Sequence, residues 1–394
     1  MSIVCNSQTL PRLLYVGDVP VEASYHGSAL LHRLLAGYTP EKLTVIETAA
    51  ESDPQRRLPN VNYISQPIAK QRWLNTRFHR YAVSWFTRSG ERAAPRISQS
   101  LNGFGFESVL TVAHGFGWLA AARIASERNV PLHLMVHDDW PRVANVTAGF
   151  RQCLDEQFAK VYRQAHSRLC VSPAMRRDYC ERYGRPADVI YPGRSAACPD
   201  FAEPPTRLSR NEKPFTIAFA GTINSNGYIR ALLALQEALK PVGGRLLIFG
   251  PLTAVAAKQV GLNSTTRVCG LLSSSELMVR LREEADALFV PMSFEPRDCV
   301  NMQMAFPSKL ADCTAVGLPL LIYGPYYCSA VAWARENSGV AEVVDTEDGL
   351  APAVNRLAND ADLRIALATR ALEVGREYFS HERVQQVFNQ ALFV

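Results

Sequence analysis

The segment 285-ADALFVPMSFEPRDCVNMQMAFPSKLADCTAVGLPLLIYG-324 decides the fold. Its two apolar runs, at 287–290 and 318–322, are typical of strands buried on both faces, and the residues between them have the length of a loop and a helix. Two buried strands joined by a helical crossover form a parallel βαβ unit. Because ligands of parallel sheets bind beyond the carboxyl ends of the strands, the polar residues of this crossover are candidates for chemistry.

The same alternation of apolar runs and helical stretches continues along the whole chain. Strands are predicted at 13–16, 43–46, 109–112, 132–136 and 168–171, and in a second series at 215–220, 246–249, 287–290, 318–322 and 341–344. The stretch 194–214 between the two series is rich in Pro and charge. The sequence therefore predicts an α/β protein with two Rossmann-like, doubly wound parallel-sheet domains that face a central cleft.

The predicted boundaries follow from that break. Residues 1–196 form the N-terminal domain, and 197–213 form a linker. Residues 214–375 form the C-terminal domain. A C-terminal helix within 376–394 is expected to pack back toward the N-terminal domain.

Composition excludes several classes of protein. With 47% hydrophobic and 20% charged residues among 394, the chain is globular and long enough for two cores. The net charge of +5 is weak evidence for a polyanionic partner. The nine cysteines are scattered and never spaced as C-x-x-C, which disfavours a disulfide framework or a zinc site. Without a secretory signal or a long apolar run, the expected location is the cytoplasm.

Two candidates lie in the first half. Gly27 precedes a helix predicted from Ser28, where its backbone could approach an anion or a sugar, although a simple turn is the alternative. The spacing does not fit G-x-G-x-x-G, so a dinucleotide-binding oxidoreductase is disfavoured. His137 follows a strand and could hydrogen-bond a sugar hydroxyl, with Asp138 and Asp139 beside it; a purely structural histidine is the alternative.

The second half contains the stronger candidates. The glycine loop from Gly221 to Gly227, which includes Thr222, could bind phosphate through its N–H groups or could simply turn the chain. After the next long crossover loop, Ser308 and Lys309 open a predicted helix that suits a diphosphate, and Asp312 lies one turn further. Glu295 lies on the loop before it. The alternative is a capped helix with surface charges.

In order along the chain, these motifs resemble the retaining GT-B glycosyltransferases, the group of sucrose synthases and phosphatidylinositol mannosyltransferases. The resemblance covers nearly the whole chain. Its segments are HDDW at 137–140, CVSPAMRRDYCERYG at 170–184, YPG at 191–193, IAFAGTI at 217–223, RLLIFG at 245–250, VCGLLSSSELMVRLREEADALFVP at 268–291, FEP at 294–296 and PSKLADCTAVGLP at 307–319. The last of these is the most specific.

The resemblance implies that the N-terminal domain binds the acceptor and that the C-terminal domain binds the nucleotide-sugar. It also implies a role for each candidate residue. His137, Glu295 and Lys309 would be catalytic, with His137 near the anomeric centre and Glu295 bonding the sugar hydroxyls. The donor-binding residues would be Gly27, Gly221, Thr222, Gly270, Leu271, Ser308, Lys309 and Asp312. Within this set Asp312 would hold the ribose, and the stretch at Gly270 and Leu271 would read the base.

Two features depart from the family pattern. The acidic pair is normally eight residues apart, whereas Glu295 and Asp312 are separated by seventeen. The loop at 221–227 lacks the cation that usually meets the leaving diphosphate. Lys309, or else Arg194, Arg230 or Arg297, would then serve that purpose.

The expected function is retaining, metal-independent transfer of a hexose from a nucleotide-sugar, as co-substrate rather than cofactor, to an acceptor. The acceptor would belong to cell-envelope polysaccharide, a glycolipid or a secondary metabolite. A nucleotide-sugar hydrolase or epimerase is an alternative with the same fold. The other alternative is a binding or scaffold subunit that has weak or no activity.

The segment 70–88, KQRWLNTRFHRYAVSWFTR, combines aromatic residues at helical spacing with a row of arginines. Such a helix could rest on an anionic membrane, at its inner face, and bring the protein to a lipid-linked acceptor. A core helix with a solvated edge is the alternative. No recognised nucleic-acid module surrounds the segment, so nucleic acid is not an expected partner.

Overall fold

The computed structural model describes residues 10–24, 26–49, 51–69, 71–210, 214–223 and 225–393. Lys70, Asn224 and the linker residues 211–213, which belong to segments singled out above, lie outside these ranges. The chain divides into two units. The N-terminal unit contains the residues up to Ile190 together with those from Val384 onward, and the C-terminal unit runs from Tyr191 to Arg383. The division therefore falls before the segment 197–213.

The N-terminal unit is built on a parallel sheet with the order β3-β2-β1-β4-β5-β6-β7. Its strands are β1 Leu13–Gly17, β2 Leu43–Glu47, β3 Asn62–Ser65, β4 Ser108–Val112, β5 Leu132–Val136, β6 Ser167–Cys170 and β7 Asp188–Val189. Its helices are α1 His26–Leu35, α2 Gln71–Leu74, α3 His79–Ser89, α4 Ala94–Ser100, α5 Gly117–Arg128, α6 Trp140–Val143, α7 Ala148–Gln164 and α8 Pro173–Tyr183.

The C-terminal unit has a second parallel sheet with the order β10-β9-β8-β11-β12-β13. Its strands are β8 Thr216–Ala220, β9 Arg245–Phe249, β10 Thr266–Gly270, β11 Ala287–Pro291, β12 Leu320–Tyr323 and β13 Glu342–Val344. Its helices are α9 Asn226–Leu239, α10 Ala254–Gln259, α11 Ser274–Glu284, α12 Cys299–Met304, α13 Lys309–Cys313, α14 Ser329–Glu336, α15 Leu350–Asn359 and α16 Ala361–Phe379. The last helix, α17 His381–Leu392, begins here and ends in the N-terminal unit.

Helical apolar spacing explains how the chain returns to the first unit. Val384, Phe388 and Leu392 lie four residues apart on α17 and are buried in the core of the N-terminal unit. They pack in the same cluster as the leucines of α1. Burying side chains of this size contributes about 1.5–3 kcal/mol each, which attaches the end of the chain to the domain at its start.

All ten predicted strands are present, with ends that differ by one or two residues. Three further strands, β3, β7 and β10, are absent from the prediction, and each lies at an edge of its sheet. Helix α1 begins at His26, so that Gly27 lies inside the helix rather than before it. Among the described residues, none of the helices combines the length and apolar character that crossing a bilayer requires.

Candidate functional site

In both sheets the strand order reverses beside the first strand of the unit, which is where doubly wound sheets bind ligands. In the C-terminal unit this point lies between β8 and β11. The residues that follow these strands are Gly221 and the loop that leads to Glu295. Helix α13, which carries Lys309 and Asp312, belongs to the crossover from β11 to β12. The structure therefore brings these predicted residues to the carboxyl ends of β8 and β11.

Lys309 lies against the glycine loop. Its Nζ is 4.6 Å from the ring centroid of Phe219 and 4.8 Å from that of Tyr228, so two aromatic faces hold the ammonium. A Cβ on Gly221 would lie 4.0 Å from the same Nζ, and Gly221 has a φ of +145° that favours glycine. The glycine loop has no Lys or Arg of its own, and Lys309, from the crossover between β11 and β12, places a cation beside it.

The charge on Lys309 has little compensation. Burial lowers the pKa of its ammonium to about 8, and the Cys313 thiol opposes this shift. The Cys313 thiol has its own pKa raised by burial to about 12, so it is neutral at physiological pH. No ion pair to Lys309 is found within the described residues. A desolvated ammonium with neutral neighbours favours an anionic ligand.

Arg194, one of the alternative cations, serves another purpose. Its side chain is 5% exposed and donates from Nε to the Ala311 carbonyl and from Nη2 to Thr314 Oγ1. Gly375 leaves room for this contact, because a Cβ there would meet Nη2 at 2.3 Å. Arg194 is therefore a positioning residue that fastens α13, the helix that carries Lys309.

Glu295 does not stand alone. Its carboxylate forms an ion pair with Arg230 of α9. Its backbone N–H donates to Ser293 Oγ at 3.2 Å, and Ser293 in turn donates to Asp298 at 2.6 Å. Gly227 packs on Ser293, since a Cβ there would lie 2.0 Å from Oγ. The loop after β11 is thus held against the start of α9, and Arg230, another alternative cation, is engaged with Glu295.

This pair borders a pocket of about 230 Å³ that is lined by Arg230, Phe294, Glu295, Tyr323 and Glu347, among others. The pocket carries two aromatic rings, 4.9 Å apart between centroids, beside charged groups that hydrogen-bond hydroxyls. Its composition suits a polyhydroxylated ligand.

The remaining donor-site candidates of the C-terminal unit lie at the same sheet edge. Ser308 is exposed and precedes α13, but its side chain makes no capping hydrogen bond, so the predicted cap is absent. Asp312 lies on α13. Burial lowers the pKa of the neighbouring Arg194, and the charge of Asp312 is among those that oppose this shift. Thr222 follows Gly221 and is partly buried.

Gly270 and Leu271 lie at the end of β10, which pairs with β9. The Gly270 carbonyl accepts the N–H of Gly250 at 2.9 Å, and Gly250 packs on the carbonyl of Gly221. This contact connects the predicted base-reading stretch to the glycine loop. Leu271 is 58% exposed, which leaves an apolar side chain available beside it.

In the N-terminal unit, Gly27 and His137 are in direct contact. A Cβ on Gly27 would lie 2.5 Å from Nδ1 of His137, so only glycine allows α1 this close to the ring. Burial lowers the pKa of His137 to about 4, and the charge of His114 adds to this shift. Nε2 lies 2.9 Å from the sulfur of Met135. The imidazole is therefore neutral at physiological pH and acts as a hydrogen-bonding group.

The two aspartates after His137 do not orient it as a pair. Asp139 is buried, accepts a hydrogen bond from Tyr179 and forms ion pairs with Arg142 and Arg182. These contacts fasten the start of α6 to α8. In the part of the chain that the structure describes, no three His, Cys, Asp or Glu side chains are grouped in a way that could hold a metal ion.

The sequence prediction missed Asp18, Thr48 and His114, which follow β1, β2 and β4 at the same edge as His137. Asp18 accepts hydrogen bonds from Phe116 N at 2.9 Å, from Gly117 N at 2.8 Å and from the Thr48 hydroxyl. His114 packs on Trp140 with 4.4 Å between ring centroids. The sequence did contain a signal for this site. Asp18 directly follows the apolar strand β1, and two glycines flank Phe116 in the loop that follows the apolar strand β4.

The segment 71–88 is not one helix. Helix α2 ends at Leu74 and α3 begins at His79, and α3 buries Val83 and Thr87. Four of the five large aromatic side chains of the segment are more than half exposed; they are Trp73, Phe78, Tyr81 and Trp85. The fifth, Phe86, is partly buried and contacts Phe116 with 5.8 Å between ring centroids. Helix α3 thus has a buried face, and these four aromatic side chains are not part of it.

Comparison with known proteins agrees with the fold. Residues 42–196 match the profile of Glycosyltransferase Family 4. No curated protein matches the chain at a significant level of sequence similarity. Many solved structures share its architecture over nearly the whole length.

HepE from Anabaena, in complex with UDP and glucose, is 13% identical with a TM-score of 0.66, over 97% of this chain and 99% of that chain. Sucrose-phosphate synthase from Thermosynechococcus elongatus is 15% identical with a TM-score of 0.67, over 96% and 97%. The α,α-trehalose-6-phosphate synthase from Burkholderia multivorans is 13% identical with a TM-score of 0.65, over 98% and 96%. The chain has the GT-B fold of these enzymes, as two parallel-sheet α/β units and the motif order predict.

Proposed function

We propose that the protein is a glycosyltransferase that moves a hexose from a nucleotide-sugar to an acceptor hydroxyl, with retention of configuration and without a metal ion. The observation that carries this proposal is the ammonium of Lys309, held by Phe219 and Tyr228 against the glycine loop at the switch point of the C-terminal sheet. A diphosphate bound at that loop would supply the negative charge that the ammonium of Lys309 lacks. The match to Glycosyltransferase Family 4 supports the reaction class.

The charges suit cleavage of a glycosyl–diphosphate bond. As the bond from the anomeric carbon to the phosphate oxygen breaks, negative charge grows on the leaving diphosphate, and Lys309 stabilises it. The acceptor oxygen bonds to the same face of the anomeric carbon, and its proton passes to the leaving phosphate oxygen. His137, neutral because burial lowers its pKa to about 4, donates or accepts a hydrogen bond to the sugar. Glu295, with Arg230, bonds the sugar hydroxyls.

The donor is tested by binding. UDP, GDP, ADP and dTDP are compared by thermal shift, with UDP first because HepE was solved with UDP and glucose. At 100 times the dissociation constant, a ligand of the folded state adds about 2.7 kcal/mol. We expect one nucleotide to raise the melting temperature selectively, and we expect Lys309→Met to abolish the rise. Lys258→Ala, an exposed lysine on α10, is the matched control.

The outcomes separate the candidate functions. No shift with any nucleotide in folded protein would contradict a nucleotide-sugar donor. Donor binding without transfer to any acceptor would indicate the binding subunit that the sequence left open, and release of free sugar alone would indicate a hydrolase. Proton NMR of the anomeric coupling in the product tests retention, and full activity in EDTA tests independence from metal.

We further propose that the exposed aromatic surface, made of Trp73, Phe78, Tyr81 and Trp85, contacts an anionic membrane and gives access to a lipid-linked acceptor. Arg72, Arg77, Arg80 and Arg88 are exposed around it, and Arg77 packs over the ring of Phe78 at 4.9 Å. Aromatic and Arg side chains together suit the headgroup region of an anionic bilayer at the cytoplasmic face.

Co-sedimentation with vesicles tests this contact. We expect binding to vesicles that contain phosphatidylglycerol, weaker binding to pure phosphatidylcholine, and loss of binding in Tyr81→Ser/Trp85→Ser. Tyr326→Ser, at an aromatic residue of the C-terminal unit that is 69% exposed, is the control. Equal binding by the double variant and the wild type would contradict the proposal.

A further inference from the structure

The carboxyl edge of the N-terminal sheet carries a polar residue after each of four neighbouring strands: Thr48 after β2, Asp18 after β1, His114 after β4 and His137 after β5. The strand order reverses between β1 and β4. In sheets of this topology, the helix that begins at such a point offers its first N–H groups to phosphate. Here that helix is α5, twelve residues long from Gly117 to Arg128.

The protein's own carboxylate already occupies that position. Asp18 Oδ2 accepts the N–H of Phe116 at 2.9 Å, and Oδ1 accepts the N–H of Gly117 at 2.8 Å and the hydroxyl of Thr48. A carboxylate on these donors offsets the positive end of the α5 dipole. Burial raises the pKa of Asp18, while these hydrogen bonds and the charge of His114 lower it.

The backbone approaches the carboxylate closely at two glycines. A Cβ on Gly115, whose φ is +64°, would lie 1.9 Å from Asp18 Oδ2. A Cβ on Gly117 would lie 2.2 Å from Thr48 Oγ1 and 2.8 Å from Asp18 Oδ1. Both glycines are needed for the loop to approach the side chain this closely.

The charged side chains that the structure describes near this edge do not provide a free cation for a phosphate group. Glu47, buried at the end of β2, pairs with Arg57 at 2.8 Å, and Arg57 also donates to Ser52. This arginine is therefore committed to the fold. Asp18 contributes a negative charge to the centre of the edge, and His114 is a basic group that acts on it.

We propose that Asp18 is a specificity residue that excludes phosphate groups from this edge, so that the acceptor presents a neutral, hydroxyl-bearing group to it, such as a terminal sugar. The statement about the acceptor rests on the proposed function. The exclusion of phosphate does not, and it is measurable in the absence of any transfer reaction.

The first experiment replaces the carboxylate and measures binding of inorganic phosphate by thermal shift and calorimetry. Asp18→Gly removes the carboxylate from the N–H groups of Phe116 and Gly117 and from the Thr48 hydroxyl, which then lack this acceptor. We expect this variant to bind phosphate at least about tenfold more tightly than the wild type. Asp286→Gly, which removes a buried carboxylate that accepts Thr216 N at 2.8 Å in the other unit, is the matched control.

The second experiment compares glucose with glucose 6-phosphate on the wild type and on Asp18→Asn, with UDP at saturation to fill the donor site. We expect the wild type to bind the phosphate ester no more tightly than glucose, and the isosteric Asn variant, which serves if the Gly variant does not fold, to shift toward the ester. The proposal is overturned if the wild type prefers the ester, or if neither Asp18 variant gains phosphate binding relative to Asp286→Gly. Failure of UDP to bind at all would contradict the proposed function instead.

Discussion

At the switch point of the N-terminal sheet the protein buries a carboxylate, whereas at that of the C-terminal sheet it buries an ammonium. Asp18 receives two backbone N–H groups and a hydroxyl, while Lys309 receives two aromatic faces and a glycine loop. The two sheets share parallel strands and a reversal beside their first strand. The comparison teaches that the same strand order can surround a charged group of either sign at its switch point, and that the local side chain decides which sign it is.

The largest change in stability is expected beside Asp18, where the backbone at Gly117 lies close to neighbouring atoms. Gly117→Ala would place a Cβ 2.2 Å from Thr48 Oγ1 and 2.9 Å from the Cα of Gly17, so the loop must move away from Asp18. We expect a loss of about 3 kcal/mol in unfolding free energy, measured by chemical denaturation. Gly149→Ala in α7, where nothing lies within 4 Å, should be neutral or stabilising. Equal stability of the two variants would mean that the carboxylate is not closely enclosed.

The ammonium of Lys309 should make both stability and nucleotide affinity depend on pH. The pKa of Lys309 is lowered by burial from 10.5 to about 8, so this side chain binds fewer protons in the folded protein than in the unfolded chain between these values, and its contribution to stability should rise with pH in this window. Nucleotide affinity should change in the opposite direction, falling by up to about tenfold per pH unit above 8 as the ammonium is lost.

The contribution of Lys309 to stability is measured by denaturation as the difference between the wild type and Lys309→Met between pH 7 and about pH 10, and the nucleotide affinity of the wild type is measured by calorimetry over the same range. A wild-type affinity that stays constant across this range would separate the lysine from the nucleotide site.

A smaller effect is expected from the residue that positions α13. Arg194→Met removes the hydrogen bonds to Ala311 O and Thr314 Oγ1 without touching the glycine loop. We expect nucleotide affinity to fall roughly threefold to tenfold, less than in Lys309→Met, because the lysine loses its fixed position but keeps its charge. Arg207→Met, which removes a comparable bond to Ala285 O, controls for loss of stability. A similar loss of affinity in both variants would argue against a specific positioning effect.

The smallest change is expected at His137. Its pKa is lowered to about 4 by burial and by His114, so it should stay neutral from pH 8 to below pH 5. In a proton–carbon NMR titration, one of the eight histidines, assigned through His137→Gln, should show no change in its Cε1–H shift across this range. A midpoint near the ordinary value of 6.5 would show that solvent or a carboxylate reaches the ring.

The strands show how far the sequence alone could go. Buried central strands such as β1, β4 and β5 are apolar throughout, because helices cover both faces of the sheet, and they were predicted from that pattern. The three strands that were missed are partly exposed at the sheet edges, so selection for apolar residues is weak there. Their strand conformation depends on backbone pairing with a neighbour, which the local sequence does not encode.

The candidate site divides in the same way. Lys309 and Asp312 were recognised within PSKLAD, because consecutive residues at a helix start point to one place. Asp18 was missed, since its partners lie 30 to 99 residues away in the sequence and none of them forms a motif with it. The partner of Glu295 was likewise unpredictable, because the reach of Arg230 depends on how α9 packs against the loop after β11.

The sequence by itself determined the two series of βα units and the motif order of a GT-B protein, because apolar periodicity and turn residues act over short distances along the chain. Only the tertiary structure decided the charge at each switch point. Lys309 meets Phe219 and Gly221 across about ninety residues, and Asp18 meets Gly117 across 99, through packing that closes each loop around one ionised group. Contacts between residues far apart in the sequence therefore decide whether a buried group is ionised, since desolvation and hydrogen bonding depend on everything that surrounds the side chain in space.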